Sequence, residues 1–132
     1  MTFEEMENML DEIACEIPKE FYRDLNGGIL LLPDLKHHPE SKQTGELFIM
    51  GEYHNDRKGY GGLGRYITIY YGSFMRLYSN ITPERLRDEL KKVLIHEFTH
   101  HLESLAGQRD LEIKDAIELM GYRHRFKIRG RK

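Results

Sequence analysis

The stretch that most constrains the fold is TPERLRDELKKVLIHEFTHHLESLAG, residues 82 to 107. Thr82 is suited to cap a helix whose first residue is Pro83, and Gly107 is expected to close it as a left-handed residue just past its end. On a wheel turning about 100° per residue from His96, Leu86, Leu90, Val93, Leu94, Phe98 and Leu105 fall between about 60° and 200°. Arg85, Asp88, Glu89, Lys92 and Glu103 cluster on the other side and are expected to face solvent. Glu97 lands near 100°, inside the apolar arc, and His96 and His100 lie at the edge of that arc. A helix with only a packing role would avoid this, because a buried carboxylate costs a great deal unless something pairs with it.

A divalent cation and its water are one such partner. Two histidines four apart share one side of a helix, so both imidazoles can reach a single zinc at about 2.0–2.1 Å. The glutamate after the first histidine points to the adjacent side, where it can hydrogen-bond the water and act as general base. His96-Glu97-Phe98-Thr99-His100 is therefore an HExxH motif in a suitable helical setting. His101 is out of phase with the pair and reads as a supporting or core histidine. Glu103 shares their stripe, but three ligands along one straight helix close a tetrahedral shell poorly.

The remainder predicts a small α+β domain. Thr2 and Glu5 form a capping box ahead of Phe3, Met6, Met9, Leu10 and Ile13 at helical spacing. A second short helix follows Pro18, with Phe21, Tyr22 and Leu25 apolar, and Asn26-Gly27-Gly28 stops it. Ile29 to Leu32 reads as a buried strand, Leu35 to Gly45 as a polar loop, and Leu47 to Tyr53 and Tyr66 to Tyr71 (YITIYY) as strands. A further helix is expected from Leu111 to Met120. The loop HNDRKGYGGLGR is rich in glycine, but its spacing fits neither phosphate-binding fingerprint and it reads as a strand connection.

With 132 residues the chain is long enough for one core and too short for two. The expectation is a single domain over 1–120 and a basic tail over 121–132. That tail carries six Lys or Arg and no acid, so a net charge of −2 leaves −8 for residues 1–120. It reads as a solvated terminus, and nucleic acid remains a conceivable partner for it. The lone Cys15 cannot form an internal disulfide and is expected to be buried as a small apolar residue. No targeting segment is read ahead of the first helix and no apolar run is long enough to span a bilayer, so a cytoplasmic protein without membrane contact is expected. His37, His38 and His54 fall in expected loops and read as surface histidines. Tyr60, Tyr66, Tyr70 and Tyr71 are candidates for a transition-state hydroxyl, with none singled out.

The segment GEYHNDRKGYGGLGRYITIYYGSFMRLY, followed by a capped helix ending in HEFTHH, resembles the small bacterial zincin-like metallopeptidases, the minimal zincins. The likeness runs from about Phe3 to Met120 and is most specific in ITIYYGSFMR and the HExxHH helix. It implies a compact zincin fold, a helix-borne zinc site and peptide-bond hydrolysis. The family pattern is HExxHxxGxxD, with an aspartate after a glycine turn as third ligand. This chain departs from it: Leu102 to Leu105 reads as an extra helical turn, and Gly107 lies seven residues after His100 rather than three. Gly107 to Asp110 still keeps the GxxD spacing. An extended return of about 3.3 Å per residue would bring Asp110 back level with His100. A helical return, at about 1.5 Å per residue, would bring Glu112 or Asp115 there instead.

The resulting expectation is a zinc-dependent hydrolase, a metallopeptidase holding one Zn2+ through His96, His100 and Asp110, with Glu97 as base and a peptide or protein as substrate. By analogy with zincins, the strand around Tyr66 to Tyr71 would border the cleft and pair with an extended substrate. The alternative is a non-catalytic, metal-stabilised binding module, or a metal-dependent nuclease, acting through the basic tail. A structural zinc would be closed by four protein ligands, whereas a catalytic one keeps an open position.

Overall fold

The computed structural model describes residues 1–40, 47–56 and 64–107. Helix α1 (Phe3–Glu16) leads into a 3-10 turn (Lys19–Tyr22), then β1 (Gly28–Leu32), β2 (Lys36–His37), β3 (Phe48–Ile49), β4 (Gly51–Asp56) and β5 (Gly64–Tyr70). Two helices follow, α2 (Tyr71–Leu77) and the long α3 (Pro83–Ala106). Helices packed on a small mixed sheet place the chain in the α+β class. Among the described residues no helix is long and apolar enough to cross a membrane.

Local chemistry starts both major helices. The Thr2 hydroxyl accepts from the Glu5 amide at 3.1 Å while the Glu5 carboxylate accepts from the Thr2 amide at 2.8 Å, a complete capping box. The Thr82 hydroxyl accepts from the Arg85 amide at 3.2 Å, and Pro83 follows it as the first helical residue. Met6, Leu10 and Ile13 of α1 and Leu86, Leu90, Leu94, Phe98, Leu102 and Leu105 of α3 are buried in one cluster with Ile67 and Ile69 of β5. At the rim, Arg87 and Lys91 of α3 both pair with Glu16 of α1.

The three-stranded sheet runs β1-β5-β4. β1 is parallel to β5, with Gly28 opposite Tyr66 and Leu32 opposite Tyr70. β4 is antiparallel to β5, with Gly51 opposite Ile69 and Tyr53 opposite Ile67. β4 lies against α3 so closely that a Cβ on Gly51 would sit 2.9 Å from Val93 Cγ1 and 3.0 Å from Ile69 Cδ1. Glycine at position 51 is what permits this approach, which brings the outer edge of β4 over the middle of α3.

Several sequence expectations need correction. β1 forms where expected but is only half-buried, because it is an outer strand of the sheet. The segment read as a polar loop contains β2, which pairs antiparallel with β3, and the expected strand from Leu47 to Tyr53 is interrupted at Met50. β5 stops at Tyr70, and α2 begins at once without a side-chain cap. What stabilises α2 is tertiary: Phe74 is fully buried, and Ser73, also buried, accepts from the Lys36 amide at 3.0 Å. Cys15 is exposed, since it lies on the side of α1 opposite Met6 and Ile13. Glu89 is buried rather than solvated; it lies near the edge of the apolar arc, where the Tyr78 hydroxyl donates to it at 3.2 Å.

Gly107 does not take the left-handed conformation. It does close the helix, directly after Ala106, but with a right-handed φ of −63° and ψ of −13°, and its N–H bonds to the Glu103 carbonyl at 3.2 Å. Asp110, Glu112, Asp115, the expected helix from Leu111 to Met120 and the basic tail lie outside the described residues.

Candidate metal centre

The helical phase of α3 decides what faces the space between that helix and β4. An open cleft of about 660 Å³ lies there, lined by Gly51, Glu52 and Tyr53 of β4 and by His96, Glu97, His100, Glu103 and Ser104 of α3. His96 and His100, one turn apart, turn their Nε2 atoms toward each other at 3.1 Å, with their rings perpendicular. Two nitrogens each about 2.0–2.1 Å from a tetrahedral zinc are separated by about 3.3 Å, so the pair fits such an ion with little adjustment. On the far side of the His100 ring, Nδ1 lies 3.7 Å from a Glu103 carboxylate oxygen. That separation is too long for a hydrogen bond. Burial pushes the His96 pKa down, and the neighbouring His100 pushes it the same way, which keeps its lone pair available near neutral pH.

Glu97 is only 6 % exposed. Burial and, next, the charge of Glu52 raise its pKa to about 7, against a hydrogen bond from the Tyr53 main chain that works the other way. The ladder explains why that bond is available. The Tyr70 amide bonds to the Met50 carbonyl, so residues 50, 52 and 54 point their backbone groups at β5 while those of 51, 53 and 55 point away from it. The Tyr53 N–H therefore belongs to the outer edge of β4, and Glu97 takes it.

Glu52 is held differently. Burial pushes its pKa up, but bonds from Lys36 Nζ at 2.6 Å and the Tyr70 hydroxyl at 2.5 Å outweigh that and keep it below the ordinary range. Both donors use Oε1. One cleft thus holds a carboxylate fixed as an anion and a second that titrates near neutrality, the separation that assigns acid–base roles in many sites.

The other candidates are accounted for elsewhere. His54 is in β4 rather than a loop, stacked on Tyr66 and 2.9 Å from the Thr68 hydroxyl. His37 belongs to β2 and rests against Phe48, and His38 accepts from the Glu40 amide. Tyr71 donates to the Met1 carbonyl, Tyr70 serves Glu52, and Tyr60 lies outside the described residues. The tyrosine lining the cleft is Tyr53, and β5, flanked by strands on both sides, cannot border it; β4 does. His101 is fully buried, with one ring nitrogen 2.9 Å from the Tyr53 hydroxyl and the other 2.8 Å from the Arg23 carbonyl. The helical wheel carried a signal for it, since it falls at about 140°, in the centre of the apolar arc. Among the described residues no group of three His, Cys, Asp or Glu side chains is placed to hold an ion together.

The sequence profile of the zincin-like metallopeptidases matches residues 33–117. Among solved structures, a conserved hypothetical protein from Thermus thermophilus superposes with a TM-score of 0.68 at 32 % identity, over 82 % of this chain and 100 % of that one. No curated protein matches the chain. The matched span is well over half of the sequence and runs from before β2 through the whole of α3; the chain belongs to the zincin-like metallopeptidase family, whose members are in general zinc-dependent hydrolases.

Proposed function

We propose that this protein is a zinc peptidase in which His96 and His100 hold the ion, Glu97 is the general base and Asp110 supplies the third ligand. The observation that carries the reading is the convergence of the His96 and His100 Nε2 atoms at 3.1 Å beside a buried glutamate whose pKa is raised to about 7. Bound zinc would polarise the scissile carbonyl and acidify a water. Glu97 takes the proton from the attacking water and passes it to the leaving amine, a task for which a pKa near the working pH is suited. The bond from the Tyr53 N–H holds the carboxylate on the cleft side of α3 while it does so.

Substrate positioning falls to β4. The backbone groups of Gly51 and Asn55 point away from β5 along its outer edge, and they offer an extended peptide a strand to pair with. For the third ligand, Asp110 keeps the family's GxxD spacing, and Glu112 and Asp115 are the alternatives. A catalytic ion would keep one position open to substrate, whereas four protein ligands would enclose a structural one.

The test is to load the full-length protein with zinc and follow cleavage of fluorescein-labelled casein by wild type and Glu97→Gln. Cleavage by the wild type alone supports the proposal. Equal rates in both would contradict Glu97 as the base, and a zinc that stays bound with no cleavage under any condition favours a non-catalytic, metal-stabilised module.

A further inference from the structure

His101 and Tyr53 form a connection that the proposed chemistry does not use directly. The Arg23 carbonyl can only accept, so His101 Nε2 carries the ring proton and donates across 2.8 Å. Nδ1 is then bare, and the Tyr53 hydroxyl donates to it across 2.9 Å. The imidazole is fully buried, with the Tyr53 ring centroid 5.3 Å away and that of Phe98 at 6.5 Å. Both of its nitrogens are occupied and its tautomer is fixed, so the ring has a single orientation. The same tyrosine presents its main-chain N–H to Glu97 from the outer edge of β4.

We infer that His101 is a positioning residue which, through the Tyr53 side chain, locks β4 in register against α3 and so holds the Glu97 carboxylate in place. The spacing explains how one helix does both jobs. Glu97 and His101 are four apart and share a side of α3, so they meet β4 at points one turn apart. Tyr53 bridges them, with its side chain on His101 and its backbone on Glu97. A strand at a sheet edge has only one neighbour to fix it, and the half-buried Tyr53 side chain, anchored on His101, supplies the second restraint. Without it the Tyr53 N–H would leave the carboxylate, and the base would lose its fixed direction.

The catalytic consequence rests on the reading of Glu97 as base, whereas the coupling itself does not, and the two are measured separately. Amide exchange of the full-length, metal-free protein, followed by 15N NMR, reports the coupling. In Tyr53→Phe the residue 53 amide should exchange at least about tenfold faster, while the Glu52 and His54 amides, bonded to β5, keep their protection. His101→Gln, which can still donate to the Arg23 carbonyl, should do the same. In a Glu97→Ala background, where that acceptor is already gone, Tyr53→Phe should add nothing. Unchanged exchange at residue 53, or an equal rise at residues 52, 53 and 54, overturns the inference. With zinc and labelled casein, Tyr53→Phe should lower kcat roughly 10–100-fold with little change in KM. A wild type that cleaves no casein would count against the peptidase reading and leave the exchange result to decide the coupling.

Discussion

Glu52 and Glu97 line the same cleft, yet one is held below the ordinary carboxylate range and the other is raised to about 7. The difference lies in their partners. Lys36 and Tyr70 hold Glu52 as an anion by donating to it, and Glu97 receives one main-chain N–H to set against burial and against the charge of Glu52 itself. That relationship makes the pH dependence of the protein a report on the site.

Glu97→Gln should stabilise the metal-free protein at neutral pH and above. The folded pKa of Glu97, about 7, lies above the ordinary value of 4.5, so the native state binds the extra proton between those limits. Stability is therefore lost as pH rises from about 4.5 to 7, reaching on the order of 3 kcal/mol at about 1.4 kcal/mol per pKa unit. Urea midpoints at pH 5 and pH 8 should show the variant near wild type at the lower pH and more stable at the higher. A gain at pH 5 as large as that at pH 8 would contradict the assignment.

Glu52→Gln should lower the pKa of Glu97, because the charge on Glu52 is one of the causes that raise it. Titration of the Glu97 side-chain carboxyl carbon by 13C NMR in the metal-free protein measures the shift directly. An unchanged or higher value would mean that burial alone sets the acidity of Glu97.

Gly51→Ala should destabilise the fold by about 1–3 kcal/mol. Two of the atoms that a new Cβ would meet are side-chain carbons of Val93 and Ile69, and the third is the Thr68 carbonyl oxygen at 3.1 Å, which belongs to the β4–β5 ladder and has little freedom to yield. A denaturation midpoint equal to wild type would show that β4 and α3 separate easily, and would weaken the case for a cleft of fixed width.

Much of the site was legible in the sequence because α3 is long, capped and periodic. Wheel positions alone placed Glu97 on the buried face and set His96 and His100 side by side. The same wheel put His101 in the centre of the apolar arc, but only the tertiary fold reveals Tyr53 and the Arg23 carbonyl as its partners, 48 and 78 residues away in sequence. Glu52 carries no local signal for a similar reason, since Tyr70 reaches it from the neighbouring β5 and Lys36 from the separate β2–β3 pair. β5 was found by its β-branched and aromatic residues, yet its central place in the sheet depends on a pairing order that no local pattern encodes, and the cleft-bordering role passed to β4. Helix α2 has no capping residue and contains Gly72, so its stability comes from burying Phe74 and Ser73. The reversal expected at Gly107 rested on composition, and the backbone there stays right-handed.

For the third ligand, Asp110→Ala should weaken zinc binding by more than the roughly 10–100-fold typical of residues that only support a ligand. Glu112→Ala and Asp115→Ala should have at most that smaller effect. Chelator competition on the three variants ranks them, and a dominant loss in Glu112→Ala or Asp115→Ala would transfer the role from Asp110.

The most direct measurement is the zinc content of the full-length protein after reconstitution and removal of free metal, for wild type, His96→Ala, His100→Ala and His101→Gln. The account predicts about one zinc per chain in the wild type, most of it lost in His96→Ala and in His100→Ala, and most of it kept in His101→Gln, because two imidazoles from one helical face form the core of a zinc site. Equal retention in the His96 and His100 variants, or equal loss in all three, would contradict it.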